Sequence, residues 1–147
     1  MSSNNNKKNG NKFEVEFCEL LFENGYWAHN LTQNSAGQPA DVIAVKKKKS
    51  YLIDCKVVSF NTRGFALSRV EDNQHLAMQL WKERTGQDAW FAIKYEIVNK
   101  IYMFSYETIK KLDMCQSTIN QIDAMVYGTE FEEWINGSTN RKYSYRN

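Results

Sequence analysis

The chain has 147 residues, 42% hydrophobic and 24% charged, a composition that fits one globular domain and excludes a largely disordered protein. The net charge is only +2, which by itself does not indicate a polyanionic partner such as nucleic acid. The positions of the lysines are more informative than the net charge. Three widely spaced cysteines without a CxxC pair argue against a disulfide framework or a zinc knuckle, and predict reduced, buried thiols.

Hydrophobic periodicity and turn residues divide the chain into helices and strands. We interpret residues 1–11 as a flexible basic arm, 12–140 as one domain with its core over 12–105, and 141–147 as a basic tail. The predicted elements are helix 12–24 ended by Gly25, strands 26–33, 41–45 and 51–60 with a hairpin turn at 46–50, helix 67–85 ended by Gly86, strands 88–96 and 100–105, and weaker helices 106–114 and 129–136.

This order predicts an α/β fold, with a central mixed sheet flanked by helices and a C-terminal helical extension. No apolar run reaches the ~20 residues that a transmembrane helix needs, and the N-terminus lacks an apolar signal region. We therefore expect a soluble, cytoplasmic protein with no membrane partner.

The first predicted helix carries a carboxylate on its apolar side. At about 100° per residue, Glu14 falls between Cys18 and Leu21. Burying an unpaired carboxylate costs on the order of several kcal/mol. Glu14 therefore either lies at the edge of the apolar stripe and reaches water, or meets a cation, a metal or hydrogen-bond donors.

Polar side chains also interrupt the apolar faces of the second helix and the third strand. Gln74 falls in the same arc as Met78, so it is either hydrogen-bonded by the interior or lines a cleft. Asp54 and Lys56 share a strand face with Leu52, where they form a local ion pair or part of a site.

A fourth polar residue, Asp41, opens the preceding strand, where a turn carboxylate is also common. Because a short hairpin joins the strands of Asp41 and Asp54, these strands should be neighbours in the sheet. Helices 12–24 and 67–85 must cover its faces. Three carboxylates, a lysine and a glutamine would then converge at one end of the sheet.

Carboxylates without His or Cys ligands suit hard ions such as Mg²⁺, with Mn²⁺ as a substitute. Asp41, Asp54 and the backbone carbonyl of Cys55 could hold one ion, and Glu14 could hold a second or bind the first through water. Such a metal activates water and stabilises the charge on a phosphate. Lys56 could orient the nucleophile or offset the developing negative charge.

Other chemistries fit less well. The sequence has neither a GxxxxGK[ST] loop nor a GxGxxG fingerprint, and its two histidines make a His-rich zinc site or a Ser-His-Asp triad a poor fit. With Gln74 positioning the water or the phosphate, the cluster predicts hydrolysis of a phosphodiester without an organic cofactor.

The chain resembles the PD-(D/E)XK nuclease superfamily in four segments, which are Gly10…Phe13-Glu14, Pro39-Ala40-Asp41, Ile53-Asp54-Cys55-Lys56 and Asn73-Gln74. Their spacing and residues 65–74 are most similar to the Holliday junction resolvases of the archaeal and RecU-like types. The resemblance spans residues 10–105. It implies a restriction-endonuclease-like αβββαβ core, Mg²⁺-dependent cleavage, a homodimer and branched DNA as substrate.

The chain departs from the family pattern at three points. It reads Pro-Ala-Asp where many members have Pro-Asp, and its second acid is Asp54 where many members have Glu. Residues 106–147 have no counterpart in the motif. The small size and the Asn- and Lys-rich composition suggest a phage-encoded protein that acts in the host cytoplasm.

Cations near the motif are candidate DNA contacts that neutralise phosphates without reading sequence. The lysine run either contacts DNA or is a solvated turn, and the arginines flank the loop after the DxK strand. His75 is expected on the exposed side of the second helix. The candidates are Lys12, Lys46, Lys47, Lys48, Arg63, Arg69 and His75.

Three functions are compatible with these residues. The first is a junction resolvase, which would act as a homodimer because a four-way junction presents two symmetric strands. The second is a nuclease of the same fold that cuts flaps, single strands or restriction-like sites. The third is a non-catalytic DNA-binding module, which the filled motif positions disfavour.

Overall fold

A computed structural model describes residues 2–31 and 40–137, with side chains described from residue 11 onward. Most of the loop predicted before Asp41 and the whole basic tail lie outside the described residues. No helix in the described part of the chain is both long and apolar enough to cross a bilayer.

Short helices and strands alternate along the described chain. In order they are α1 (Ser2–Glu23), β1 (Trp27–Asn30), β2 (Val42–Lys46), β3 (Lys49–Val58), β4 (Gly64–Ala66), the 3-10 helix η1 (Leu67–Arg69), α2 (Asp72–Thr85), β5 (Ala89–Tyr95), β6 (Lys100–Ser105), α3 (Tyr106–Asp113), β7 (Thr118–Asn120), α4 (Gln121–Tyr127), β8 (Thr129–Glu130) and α5 (Phe131–Ile135).

The main sheet has the strand order β1-β2-β3-β5-β6-β8, and β4 pairs with β7 in a separate small sheet. β3 and β5 are parallel, because α2 crosses over between them, and the other pairs of the main sheet are antiparallel. This arrangement confirms the predicted α/β fold with a central mixed sheet and flanking helices.

Helices cover both faces of the sheet. On one face α1 and α5 pack around Phe17, Ile53 and Met103, and on the other α2, α3 and α4 pack around Phe91 and Phe104. Residues 52–55 of β3 are all buried. A strand covered on both sides reads as a continuous apolar run, so a carboxylate in it needs a specific partner.

The interpretation of residues 1–11 as a flexible arm is wrong for residues 2–11, because α1 begins at Ser2. Extending a helix costs much less free energy than starting one. Phe13, Phe17 and Leu21 are buried and fix the later turns of α1. The preceding polar residues, which are individually poor helix formers, then continue the helix backwards.

The single helix predicted over 67–85 is also wrong, because η1 and an extended residue precede α2. Val70 has φ −84° and ψ 108°, which no helix accommodates. Leu67 N–H donates to the carbonyl of Ser117 at 2.9 Å, which ties η1 to the segment before β7. The helix starts only after Glu71, and it ends at Gly86 as predicted.

The sequence pattern misses β4 and several of the elements after residue 106. β4, β7, α4 and β8 have two to seven residues, too few for a periodic signal. β4 also depends on a glycine, since a Cβ at Gly64 would lie 2.6 Å from the backbone oxygen of Ile119. The described cysteines are free, but Cys115 is exposed, so the expectation of buried thiols is wrong there.

The β2–β3 hairpin turns at residues 47–48, and Lys46 pairs with Lys49. This confirms the turn predicted over the lysine run. Lys47 has φ 56°, in the left-handed region. A side chain with a Cβ loses about 1 kcal/mol there, which is why Asn and Gly prevail in such turns.

Candidate active site

Asp41 lies next to the middle of β3, where the ladder between β2 and β3 begins. Its N–H donates to the carbonyl of Ile53 at 3.1 Å. Its carboxylate Oδ2 accepts a hydrogen bond of 2.8 Å from the N–H of Cys55. In an antiparallel ladder the N–H and C=O of one residue point to the same side. The carbonyl of Cys55 therefore faces the same side as the Asp41 carboxylate.

The Asp54 side chain lies on the face of β3 that α2 covers, with its carboxyl group next to that of Asp41. Its Oδ1 accepts a hydrogen bond of 3.3 Å from Gln74 Nε2. Lys56, two residues along the strand, places its Nζ 3.1 Å from Asp54 Oδ2. The same ammonium is 3.4 Å from Gln74 Oε1 and 3.5 Å from the backbone oxygen of Arg69. The predicted Asp54, Lys56 and Gln74 thus form one connected group.

The start of α2 fixes this group. Gln74 Oε1 also accepts a hydrogen bond of 3.1 Å from the N–H of Glu71, the N-cap residue of α2. Gln74 is buried, and each end of its amide is hydrogen-bonded. Sequence reasoning did not identify two partners of this group, the N–H of Glu71 for Gln74 and the carbonyl of Arg69 for Lys56. The pattern Glu71-x-x-Gln74 resembles a capping box and could have located the helix start.

Asp54 is only 1% exposed, yet its Oδ2 has no hydrogen-bond partner. Lys56 is within ion-pair distance of this oxygen, but not in a hydrogen-bonding geometry. A buried charge is stabilised well only if its remaining lone pairs are also satisfied. Asp54 therefore presents a buried carboxyl oxygen without a hydrogen bond inside the fold.

Glu14 on α1 belongs to the same electrostatic group. Burial, followed by the negative charge of Asp41, raises its pKa to about 7, and the positive charge of Lys56 opposes this rise. The same carboxylates contribute to raising the pKa of Cys18 to about 11, after burial itself. Glu14 is half-buried, and its carboxyl group is within electrostatic reach of Asp41 and Lys56, so it lies at the edge of the apolar stripe beside the predicted site.

The acids of this group disfavour one another's charged forms. Burial, then the charge of Asp41, raises the pKa of Asp54 well above its usual value, while Lys56 acts in the opposite direction. Within residues 11–31 and 40–137, no three His, Cys, Asp or Glu side chains form a group that could by itself hold a metal ion.

A divalent cation would relieve this repulsion, and the oxygens present fit one. They are the carboxylates of Asp41 and Asp54, with the unpartnered Asp54 Oδ2, and the carbonyl of Cys55. Mg²⁺ retains several waters and uses one or two carboxylates. A set of two carboxylates, one carbonyl and water would therefore suit this ion.

The predicted DNA contacts fall into two separate regions. Lys12 and Arg63 are exposed, on α1 two residues before Glu14 and in the β3–β4 loop. Arg69 donates to the carbonyl of Val57 at 3.0 Å and stacks on Phe65, 5.1 Å from the ring centroid.

Two further candidates differ from expectation. His75 is half-buried, not on the exposed side of α2, and its Nδ1 shares a hydrogen bond of 2.8 Å with the hydroxyl of Tyr106. Lys46, Lys47 and Lys48 lie at the other end of β3. Lys49 lies five positions before Asp54 on β3, which is about 17 Å along a strand. The lysine run is therefore remote from the carboxylates.

Comparisons with known proteins agree with this geometry. The family model described as "Archaeal holliday junction resolvase (hjc)" matches residues 5–143. The solved structure of Archaeoglobus fulgidus Hjc, a Holliday junction resolvase from an archaeal hyperthermophile, superposes with a TM-score of 0.66 at 17% identity, covering 86% of this chain and 99% of that one. Among curated proteins, no sequence matches the chain.

The raised pKa of Glu14 predicts how the metal-free protein responds to pH. In the unfolded chain Glu14 loses its proton near pH 4.5, but in the folded protein only near pH 7. Between these values the folded state binds more protons, so the free energy of unfolding falls as the pH rises. Thermal unfolding in EDTA should show this fall, and Glu14→Gln should reduce it.

Glu19→Gln, an exposed change on the same helix, is the matched control and should leave the pH dependence as in the wild type. An identical pH dependence in Glu14→Gln and in the wild type would contradict the assignment of Glu14 to this site.

Proposed function

Because the chain belongs to the archaeal Holliday junction resolvase (Hjc) family, we propose that it is a metal-dependent endonuclease that cuts four-way DNA junctions. The observation that carries this proposal is the group of Asp41, Asp54, Lys56 and Gln74 on two neighbouring strands and the start of one helix. Such a group combines hard oxygen ligands with one cation, as phosphodiester hydrolysis requires.

The family is metal-dependent, and for this chain we propose Mg²⁺, with Mn²⁺ as a substitute. The ligands would be Asp41, Asp54 and the Cys55 carbonyl, with Glu14 acting through water or on a second ion. When bound, the metal supplies Lewis acidity toward the scissile phosphate and lowers the pKa of a bound water. Asp41 is already oriented for this role by the N–H of Cys55.

The role of Lys56 follows from its partners. Its ammonium is held among Asp54 Oδ2, Gln74 Oε1 and the Arg69 carbonyl, and the side chain is 15% exposed. A preorganised cation of this kind orients a nucleophile or stabilises negative charge that develops on a phosphate. Gln74 fixes Asp54 and Lys56 relative to each other and acts as a positioning residue.

Exposed cations around the group would bind the DNA backbone. Lys12 and Arg63 are free of ion pairs with any described carboxylate. Arg69 keeps its remaining N–H groups available beside Phe65. These contacts would position DNA without reading its sequence.

The first test is cleavage of a labelled four-way junction. We expect paired symmetric nicks with Mg²⁺, and none with EDTA. Asp54→Asn keeps the shape of the side chain but removes its charge, so cleavage should fall on the order of 10²–10³-fold.

Asp113→Asn, an exposed acid at the end of α3, is the matched control and should cut as the wild type does. Linear duplex, flap and single-stranded DNA are assayed in parallel. Cleavage of linear duplex as efficient as that of junctions would refute junction resolution, and tight junction binding without cleavage in Mg²⁺ or Mn²⁺ would refute the nuclease.

A second test concerns the positioning role of Gln74. Gln74→Ala leaves Asp54 Oδ1 and the N–H of Glu71 without their partner. Loss of a residue that orients metal ligands typically costs about 10–100-fold in activity. We expect a fall of this size in kcat with little change in KM. Gln79→Ala, an exposed change on the same helix, is the control. Equal kcat in the two variants would exclude the role.

We also propose that the active protein is a homodimer, since symmetric cutting of a junction needs two active sites. Sedimentation at micromolar concentration, with and without junction DNA, should show a two-chain species. A monomer in both conditions, accompanied by single unpaired nicks, would contradict the dimer and the resolvase reaction together.

A further inference from the structure

We propose that the end of β3 remote from the carboxylates carries a second nucleic-acid site, a cleft that binds an unpaired nucleotide of a DNA strand. The proposal takes DNA as the ligand from the proposed function, but it concerns residues outside the active site. The cleft has a volume of about 760 Å³ and is lined by Lys47, Lys48, Lys49, Tyr51, Trp90 and Trp134, among others.

Aromatic rings form one wall of this cleft. The ring of Trp134 stacks on that of Tyr26 with centroids 5.8 Å apart, and it meets Tyr51 and Trp90 edge-on at 5.3 and 5.5 Å. Tyr51, Trp90 and Trp134 are only half-buried, so part of each ring remains accessible. Rings that brace one another in this way form a rigid surface for stacking bases.

The lysines of the β2–β3 turn border the rings. Lys46 donates to the carbonyl of Asn24 at 3.0 Å and lies 4.8 Å from the Tyr26 ring centroid, which fixes it to the fold. Lys47, Lys48 and Lys49, by contrast, are exposed and make no ion pair with any carboxylate of the described residues. Three free cations beside exposed rings are complementary to a phosphate chain with unstacked bases.

The backbone of the turn adds an independent observation. Lys47 has φ 56°, a conformation that favours Asn or Gly. A turn selected only for hairpin stability would carry one of those residues. The retention of a strained residue is a reason to look for a function at that position, and the exposed ammonium of Lys47 supplies one.

Dimensions favour a single strand over a duplex. Pockets that enclose small ligands have volumes of about 300–1,000 Å³, a range that admits a nucleotide but not a double helix. The lysine end of the cleft lies about 17 Å along β3 from Asp54. Its aromatic wall is closer, since Trp90 pairs with Ile53, but that wall lies on the face of the sheet opposite to Asp54. The cleft would therefore hold unpaired DNA apart from the scissile phosphate.

The test measures binding of a labelled dT8 oligonucleotide in EDTA, by anisotropy and by quenching of tryptophan fluorescence. Lys47→Gln/Lys48→Gln should weaken binding at least about fivefold and reduce the salt dependence by about 1.4, since each single-strand phosphate that is neutralised contributes ~0.7. Lys110→Gln/Lys111→Gln makes the same change in net charge on α3 and should bind as the wild type does. Equal weakening by both pairs would overturn the site.

A single substitution separates binding from folding. Lys47→Asn suits the left-handed turn, so it should raise the melting temperature while weakening dT8 binding. A raised melting temperature with unchanged binding would mean that Lys47 serves only the turn, and would overturn its role in the site.

Two further ligands test whether the bases contribute to binding and whether the cleft binds a DNA strand or a free nucleotide. An abasic octamer has the same phosphates, and we expect weaker binding without fluorescence quenching. Equal affinity and quenching would overturn the aromatic part of the site. Binding of dTMP as tight as that of dT8 would assign the cleft to a free nucleotide and overturn the strand. Because these measurements need neither metal nor cleavage, their failure is distinct from a failure of junction cutting.

Discussion

The carboxylate of Asp54 lies inside the central strand of the sheet, and the free-energy cost of a charge at that depth governs its surroundings. β3 can bury this group only because Lys56 and Gln74 reach it from the same face. Even so, one carboxylate oxygen remains without a hydrogen bond. A fold selected for stability alone would place an apolar side chain there, so the arrangement keeps a carboxyl group at this position at the expense of stability.

The two faces of the sheet contribute different parts of this site. Glu14 comes from α1 on one face, Gln74 from α2 on the other, and Asp41 from the point where β2 begins. The parallel crossover between β3 and β5 carries α2 over the face of Asp54. The connectivity of the sheet therefore brings the residues of the site together. The sequence motifs of the family span this same part of the fold.

The strand periodicity was sufficient to predict the shared face of Asp54 and Lys56, and the helical periodicity to predict that Gln74 points inward. The order of the elements then predicted that these residues meet. The break at Val70 was not predictable, because a contact with a segment nearly 50 residues later in the chain decides it. The cleft around Trp134 was not predictable either, since its rings come from β3, β5, α5 and the turn after α1, and no local pattern links them.

The double use of Gln74 joins the active site to the first turn of α2. The same side chain receives the N–H of Glu71 and holds Asp54. Fraying of that helix end, a local opening common at helix termini, would release the carboxylate and the lysine together. The hydrogen-exchange rate of the Glu71 amide thus reports on the integrity of the site, and any ligand that orders the carboxylates should slow it from a distance.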